Sequence, residues 1–371
     1  MKIAVEARYL LSKEKTGVEN YTYFLLSALA RAEGDHELQL YVHRRPRPEE
    51  LKSLAPFLAS SRAHFHVVPP LKLWLKLWMP LAAQLHSADV GFFPGGILPR
   101  YRPFPSVMVV YDLCWAFYPE FYPPRELEFY RKIFPRCLAA AKRIFVISES
   151  TQQDLARLYG DAAGKTRLVP CGVDESIAPV QNAAAQVRER WGLPPGFILA
   201  AGTAHPRKNI STLLRAYALL SAASRPLLVL IGPSGDTVAP LHALAEELGI
   251  ASQLRWLGYI ASEQMPLLYS AAGAFVMPSL YEGFGMPVLE AMACGAPVIC
   301  SNTSALPEVA GDAALLVDPQ KPEMIAEALQ SICADASLAG ELRAKGLLRA
   351  KAFSWEASAQ LALKYLQEAA R

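Results

Sequence analysis

Several features that would mark a specialised chain are missing from this one. The 371 residues hold no apolar run near the roughly 18 uninterrupted residues of a membrane span. The N-terminus starts with a single lysine and an apolar stretch broken by Glu6 and Arg8, which suits a first strand and not a signal peptide. Charge of one sign is scarce in excess: 37 Lys and Arg against 34 Asp and Glu leave a net charge of +3, whereas a nucleic-acid binder is normally far more lopsided. No C-x-x-C spacing occurs. The six cysteines, Cys114, Cys137, Cys171, Cys294, Cys300 and Cys333, are scattered and mostly sit in apolar runs. They read as reduced core residues of a cytosolic protein with neither zinc site nor disulfide framework. Apolar residues at 52% against 19% charged exclude disorder.

What is present is alternation. At about 150 residues per domain the chain holds two to three domains. Short β-branched or aromatic runs at Lys2 to Arg8, Glu37 to His43, His64 to Val68, Val90 to Phe93, Ser106 to Tyr111, Arg143 to Ile147 and Arg167 to Pro170 predict strands. Between them apolar residues return at helical spacing, as in Val18, Tyr21, Leu25 and Leu29. A polar stretch, 173–195, reads as a linker with a lead-in helix. A second series then predicts strands at Phe197 to Ala201, Leu227 to Ile231, Leu254 to Leu257, Ala274 to Met277, Pro297 to Cys300 and Ala314 to Val317. Its helices fall at Ile210 to Ala222, Ala239 to Leu248, Met265 to Ala272, Pro287 to Cys294 and Glu323 to Ala334. The expectation is an α/β chain of two doubly wound, Rossmann-like parallel-sheet domains, 1–172 and 196–352, facing a nucleotide-sized cleft. The last stretch, 353–371, reads as a helix that can pack back on the first domain.

Three constellations stand at predicted strand ends. In Tyr281 to Gly295, Pro287 suits a helix start and Gly295 the position past its end. Gly283 and Gly285 leave the amides before that helix unshielded, a ready anion site. Glu282 precedes the helix and Glu290 is expected on its first turn, so both carboxylates can accept hydrogen bonds from ligand hydroxyls. The bland reading is a solvated Glu282 and a Glu290 that merely complements the helix dipole. Next, Gly202 to Asn209 places Arg207 and Lys208 together, which suits a diphosphate or a solvated surface pair. Finally, Gly17, after Thr16, opens the first helix, either to admit close backbone approach or as a plain turn glycine. Arg8 either points into the cleft or forms an ion pair at the core edge.

The ordered set of Gly17-Val18, Tyr111-Asp112-Leu113, Gly202 with Pro206-Arg207-Lys208-Asn209, and Glu282-x7-Glu290 followed by Ala291 to Gly295 resembles family 4 of the retaining glycosyltransferases. The likeness spans almost the whole chain and is most specific from Gly202 onward. It implies a GT-B fold and transfer of a hexose from a nucleoside diphosphate sugar, with retention, to a saccharide or lipid-linked saccharide. The overall likeness is to mannosyl- and rhamnosyltransferases of bacterial surface polysaccharides, which implies GDP-mannose or a related GDP-hexose as donor. By this resemblance Lys208 binds phosphate, Glu290 holds the ribose hydroxyls, Glu282 lies near the donor sugar, and the segment Gly283, Phe284, Gly285, Met286, Pro287 and Val288 contacts sugar and phosphate. Gly17, Gly202 and Thr203 complete the donor side. Where the family often has an arginine after the first glycine, this chain has Thr203, so Arg207 supplies the second charge. Where many members have His before the Asp, it has Tyr111; Asp112 would orient acceptor or sugar, or cap its own loop, and Arg8 and Tyr111 join it on the acceptor side.

No Asp-x-Asp pair occurs to hold a metal against a diphosphate, so Arg207, Lys208 and the amide-rich turn are expected to carry the leaving charge without metal or other cofactor. With no spare carboxylate nucleophile, front-face transfer is expected. Rival readings are a nicotinamide dehydrogenase, weakened by the missing third glycine after Gly283 and Gly285, a non-catalytic sugar-nucleotide sensor, and an epimerase or phosphorylase on the same fold. Leu71 to Trp78, with Lys72, Lys76, Trp74 and Trp78, is either an interfacial membrane contact or a core segment. The aromatics Trp115, Phe117, Tyr118, Phe121 and Tyr122 either stack an acceptor sugar or simply pack.

Overall fold

A computed structural model of the chain describes residues 1–12, 17–69, 72–232 and 238–371. Thr16 and Leu71 therefore lie outside the described residues. The chain divides into two compact units, Met1–Gly172 with Ser354–Arg371, and Val173–Phe353.

The first unit is a parallel sheet of seven strands: β1 Lys2–Glu6, β2 Glu37–Val42, β3 Ala63–Val67, β4 Val90–Phe93, β5 Ser106–Val110, β6 Arg143–Val146 and β7 Thr166–Leu168. Their order is β3-β2-β1-β4-β5-β6-β7. β1 sits between β2 and β4, with Ile3 opposite both Leu38 and Val90. The central strands are buried on both faces, as all-parallel sheets require, and so read as continuous apolar runs. β1 stops at Glu6, two residues short of the expected end, because Arg8–Leu11 coils into a 3-10 turn. β7 stops before Pro170, which has no N–H to give a ladder.

The C-terminal helix Trp355–Ala370 belongs to this unit. Ser354 caps it by accepting from the Ala357 N–H at 3.1 Å. Trp355 packs against Tyr21 and Phe24 of the first helix, Gly17–Arg31, and the Ser358 hydroxyl donates to the Pro170 carbonyl at 2.7 Å.

The second unit has six parallel strands: β8 Ile198–Ala201, β9 Leu228–Ile231, β10 Leu254–Gly258, β11 Ala274–Met277, β12 Val298–Ser301 and β13 Ala314–Val317. The order is β10-β9-β8-β11-β12-β13. β8 runs to β9 on one side, while its other neighbour, β11, leads away to β12. The two loops leaving β8 and β11 thus open where the strand order reverses, the place where such sheets bind ligands. No helix among the described residues is long and apolar enough to cross a membrane.

Candidate active site

The loop after β8 and the loop after β11 meet through charge. The Lys208 Nζ lies 2.7 Å from the Glu282 Oε1, and the Arg207 guanidinium lies 2.6 Å from the Glu282 Oε2. One carboxylate therefore holds both cations, in a place where Glu282 is 6% and Lys208 8% exposed. Burial alone would raise the Glu282 carboxyl; the Lys208 and Arg207 charges outweigh it and hold it at about 2. The cluster carries one net positive charge on a short, partly desolvated segment.

The backbone around it is fixed by side chains that the sequence did not single out for this work. Asn209, at φ +56°, donates from its amide to the carbonyls of Pro278 and Pro319 at 3.0 and 2.7 Å. That ties the Lys208 loop to the exits of β11 and β13. The Leu280 N–H donates to the Arg207 carbonyl at 2.8 Å, and the Glu282 N–H to the Ser304 hydroxyl at 2.9 Å. Gly202, at φ +151°, lies beneath the lysine stem: a Cβ there would come within 3.1 Å of the Lys208 Cδ. Thr203 is exposed.

The helix after Glu282 runs Met286–Ala293, with Gly285 as its N-cap at φ +105° and Gly295 past its end at φ +76°. Pro287 is its second residue, and Glu290 falls on its second turn, one turn later than expected. The Val288 N–H donates to the Gly285 carbonyl at 2.9 Å and Pro287 has no N–H. Gly285 and Met286 stand at the helix start, where an α-helix leaves its first N–H groups without intrahelical partners. Gly283, Phe284 and Gly285 are buried, Phe284 edge-on to Phe353 at 5.7 Å. Glu290 accepts from the Tyr269 hydroxyl at 3.1 Å. Loss of hydration raises its carboxyl, and that hydrogen bond opposes the rise.

Gly285 is where the turn is most exacting. A Cβ would stand 2.5 Å from the Cδ2 of fully buried Leu306, on a backbone conformation that favours glycine. Gly285→Ala is expected to cost about 2 kcal/mol, read as a melting temperature lower by several degrees; an unchanged melt refutes the claim.

The remaining expected residues gather in the first unit. Tyr111 and Asp112 line a cavity of about 350 Å³ with Tyr9, Val18, Trp115 and Tyr130. Asp112 accepts from the Cys114 N–H at 3.0 Å, the loop-capping contact anticipated for it, and the Tyr111 hydroxyl donates to the Pro94 carbonyl at 2.8 Å. Arg8 pairs with fully buried Glu6, the core-edge option of the two kept for it. Burial lifts the Glu6 carboxyl to about 7 against the pull of Arg8. Trp115 stacks on Tyr130 at 5.5 Å and Tyr118 on Phe121 at 5.2 Å, so these aromatics do pack on one another. Gly17 is exposed, and a Cβ there would meet nothing.

Comparison with known proteins gives the family and the fold. The family described as Glycosyl transferases group 1 matches residues 184–348, and that described as Glycosyltransferase Family 4 matches residues 15–177. The O-antigen chain mannosyltransferase B of Escherichia coli is 33% identical over 358 residues, covering 92% of this chain and 93% of that protein. The serotype-specific mannosyltransferase WbdA of Escherichia coli is 32% identical over 271 residues, 71% of this chain but 33% of that longer protein. Among solved structures, sucrose-phosphate synthase from Thermosynechococcus elongatus superposes with a TM-score of 0.78 at 25% identity, covering 99% of this chain and 98% of that one. HepE of Anabaena, solved with UDP-glucose, also gives 0.78, at 18% identity over 99% of this chain and all (100%) of that one, a likeness of fold alone. The chain is a GT-B protein and belongs to glycosyltransferase family 4.

Proposed function

We propose that this glycosyltransferase moves a hexose, mannose first and rhamnose second, from a nucleoside diphosphate sugar to a saccharide or lipid-linked saccharide during synthesis of a cell-surface polysaccharide. The reading is supported by its near full-length similarity to an O-antigen chain mannosyltransferase. The observation that carries the chemistry is the Lys208–Glu282–Arg207 cluster at the switch point of the second sheet.

Breaking the bond from sugar to diphosphate builds negative charge on the leaving oxygens and an oxocarbenium-like sugar. Positive charge already fixed in a poorly hydrated site stabilises that state without reorganising. Lys208 supplies it as a point charge and Arg207 as a fork, with the Gly285 and Met286 amides beside them. Glu290 would grip the ribose hydroxyls, and Glu282, while bracing both cations, lies near the sugar. Asp112 would orient the acceptor hydroxyl. The departing phosphate oxygen takes the acceptor's proton on the face it leaves from, which retains the anomeric configuration. Turnover needs no metal in this scheme. The reaction takes place in the cytoplasm, where nucleotide sugars are made.

Incubation with GDP-mannose, dTDP-rhamnose and UDP-glucose, with and without a mannose-containing acceptor and with chelator throughout, tests this. GDP release that depends on acceptor, and a product with the donor's anomeric configuration by NMR, are expected. Binding without turnover would indicate a sensor, and an altered free sugar an epimerase; either outcome ends the proposal.

A further inference from the structure

Tyr269 and Glu290 flank β11 in the second unit. The tyrosine lies on the helix Met265–Ala271 that leads into the strand, and the acid on the helix Met286–Ala293 that follows it. Tyr269 is held by its packing. It is 1% exposed, its ring stands edge-on to Phe275 of β11 at 5.4 Å, and the next residue, Ser270, accepts the Val180 N–H at 3.0 Å.

Glu290 is differently placed. It is half-buried, forms no ion pair with the described residues, and accepts one side-chain hydrogen bond, from the Tyr269 hydroxyl to its Oε2. Its Oε1 takes no hydrogen bond from the described residues and is not sealed from solvent. A carboxylate has about four acceptor positions, so most of those on Glu290 remain for the hydroxyls of a ligand. Glu282, by contrast, already spends both oxygens on Lys208 and Arg207. Burial of Glu290 disfavours its charged form, and the bond from Tyr269 favours it. The titratable groups against it are Tyr269 itself, pushed well up by burial, and the Cys294 thiol one turn on, pushed up to about 12. Both are neutral near pH 7, so no cation shares the work of the phenol.

We propose that Tyr269 is a positioning residue whose hydroxyl fixes the Glu290 carboxylate so that its second oxygen grips the ribose hydroxyls of the donor nucleotide. The inference rests on the transferase reading, in which Glu290 holds the ribose, and adds the group that makes that grip selective. Tethered at Oε2, the side chain presents Oε1 in one place and loses less freedom when the nucleotide arrives. A hydroxyl bonded to a charged acceptor is also held about twice as strongly as one bonded to a neutral acceptor. Neither effect touches the bond that breaks. Loss of the phenol should therefore raise the donor KM and leave kcat in place.

Equilibrium binding of GDP, UDP and ADP to the full chain, each beside its 2′,3′-dideoxy counterpart, tests this on the pair that binds tightest. Wild type should favour the ribonucleotide by about thirtyfold. Tyr269→Phe keeps the ring and its packing; it should cut that preference to about threefold while the affinity for the dideoxy compound and the fold, checked by melting, are retained. Glu290→Gln should cut it as far, and the double variant no further, because the tyrosine acts through the carboxylate. In Tyr269→Phe the preference should also fade at a higher pH than in wild type, since the acid has lost the bond that favours its charged form. A tyrosine with a structural role alone would weaken both nucleotides together. An unchanged preference in Tyr269→Phe, or a further loss in the double variant, overturns the proposal and leaves the transferase reading standing. A wild type that binds without telling the pair apart removes the ribose from Glu290 and overturns it too, whereas failure of all three ribonucleotides to bind brings down the transferase reading with it.

Discussion

Replacing Lys208 by alanine is expected to lower the turnover number for sugar transfer by about a thousandfold, the upper end of what removal of one fixed stabiliser of developing charge costs. The position of the amine sets this size. Lys208 is nearly buried, its stem lies over Gly202, and its charge is screened little by water. Arg207 is more open, with 24% of its side chain exposed against 10% for Lys208, so Arg207→Ala should cost about ten- to a hundredfold. Lys208→Arg should restore only a small part, because a planar guanidinium does not fit the narrow passage over Gly202 as a thin stem does. Steady-state rates on the donor identified by the panel decide the matter, with thermal melts to show that each variant is folded. A Lys208→Ala enzyme within tenfold of wild type would remove the lysine from the chemistry.

The strands and helices that support this site were largely readable in the chain. Parallel strands buried on both faces show as short apolar runs, and the thirteen among the described residues lie where such runs are read, three with the expected bounds and the others displaced by no more than two residues. The helix Ala336–Ala350 was not foreseen: its apolar residues are diluted by Gly340 and Gly346, and Gly346 serves close packing against Met292. The cluster itself was legible as residues and not as contacts. Arg207 and Lys208 stood out as adjacent cations and Glu282 as an acid beside glycines, yet nothing local joins positions 74 and 75 apart in sequence. The join exists because β11, third to form after β8 in chain order, pairs with β8 itself. The same holds for Tyr269 with Glu290, and for Asn209, which stands just before the helix from Ile210 and also bridges two distant carbonyls. Arg8 and Glu6 were closer to legible, two apart at a strand end.

Removing the Glu282 carboxylate is expected to cost about 4 kcal/mol of stability, since it strands a nearly buried lysine and a half-buried arginine without their counter-charge. Glu282→Ala isolates that effect, because the N–H bond to Ser304 and the carbonyl contact to Ala305 come from the backbone and persist. The pH dependence fixes the cause. The folded-state carboxyl sits at about 2, below its unfolded value of about 4.3. Its contribution is therefore complete above the unfolded value and is lost as pH falls from there towards 2. Denaturation midpoints of wild type and Glu282→Gln should lie far apart at neutral pH and converge through this window. A gap that stays constant would mean that packing, and not charge, makes the difference. A nucleoside diphosphate should then raise the melting temperature of Glu282→Ala more than that of wild type, because its oxygens supply the anion that Lys208 and Arg207 have lost. On the proposed reading the carboxylate and the diphosphate would compete in the wild type for the same two cations, so the residue that stabilises the cluster would also moderate how tightly the product is held.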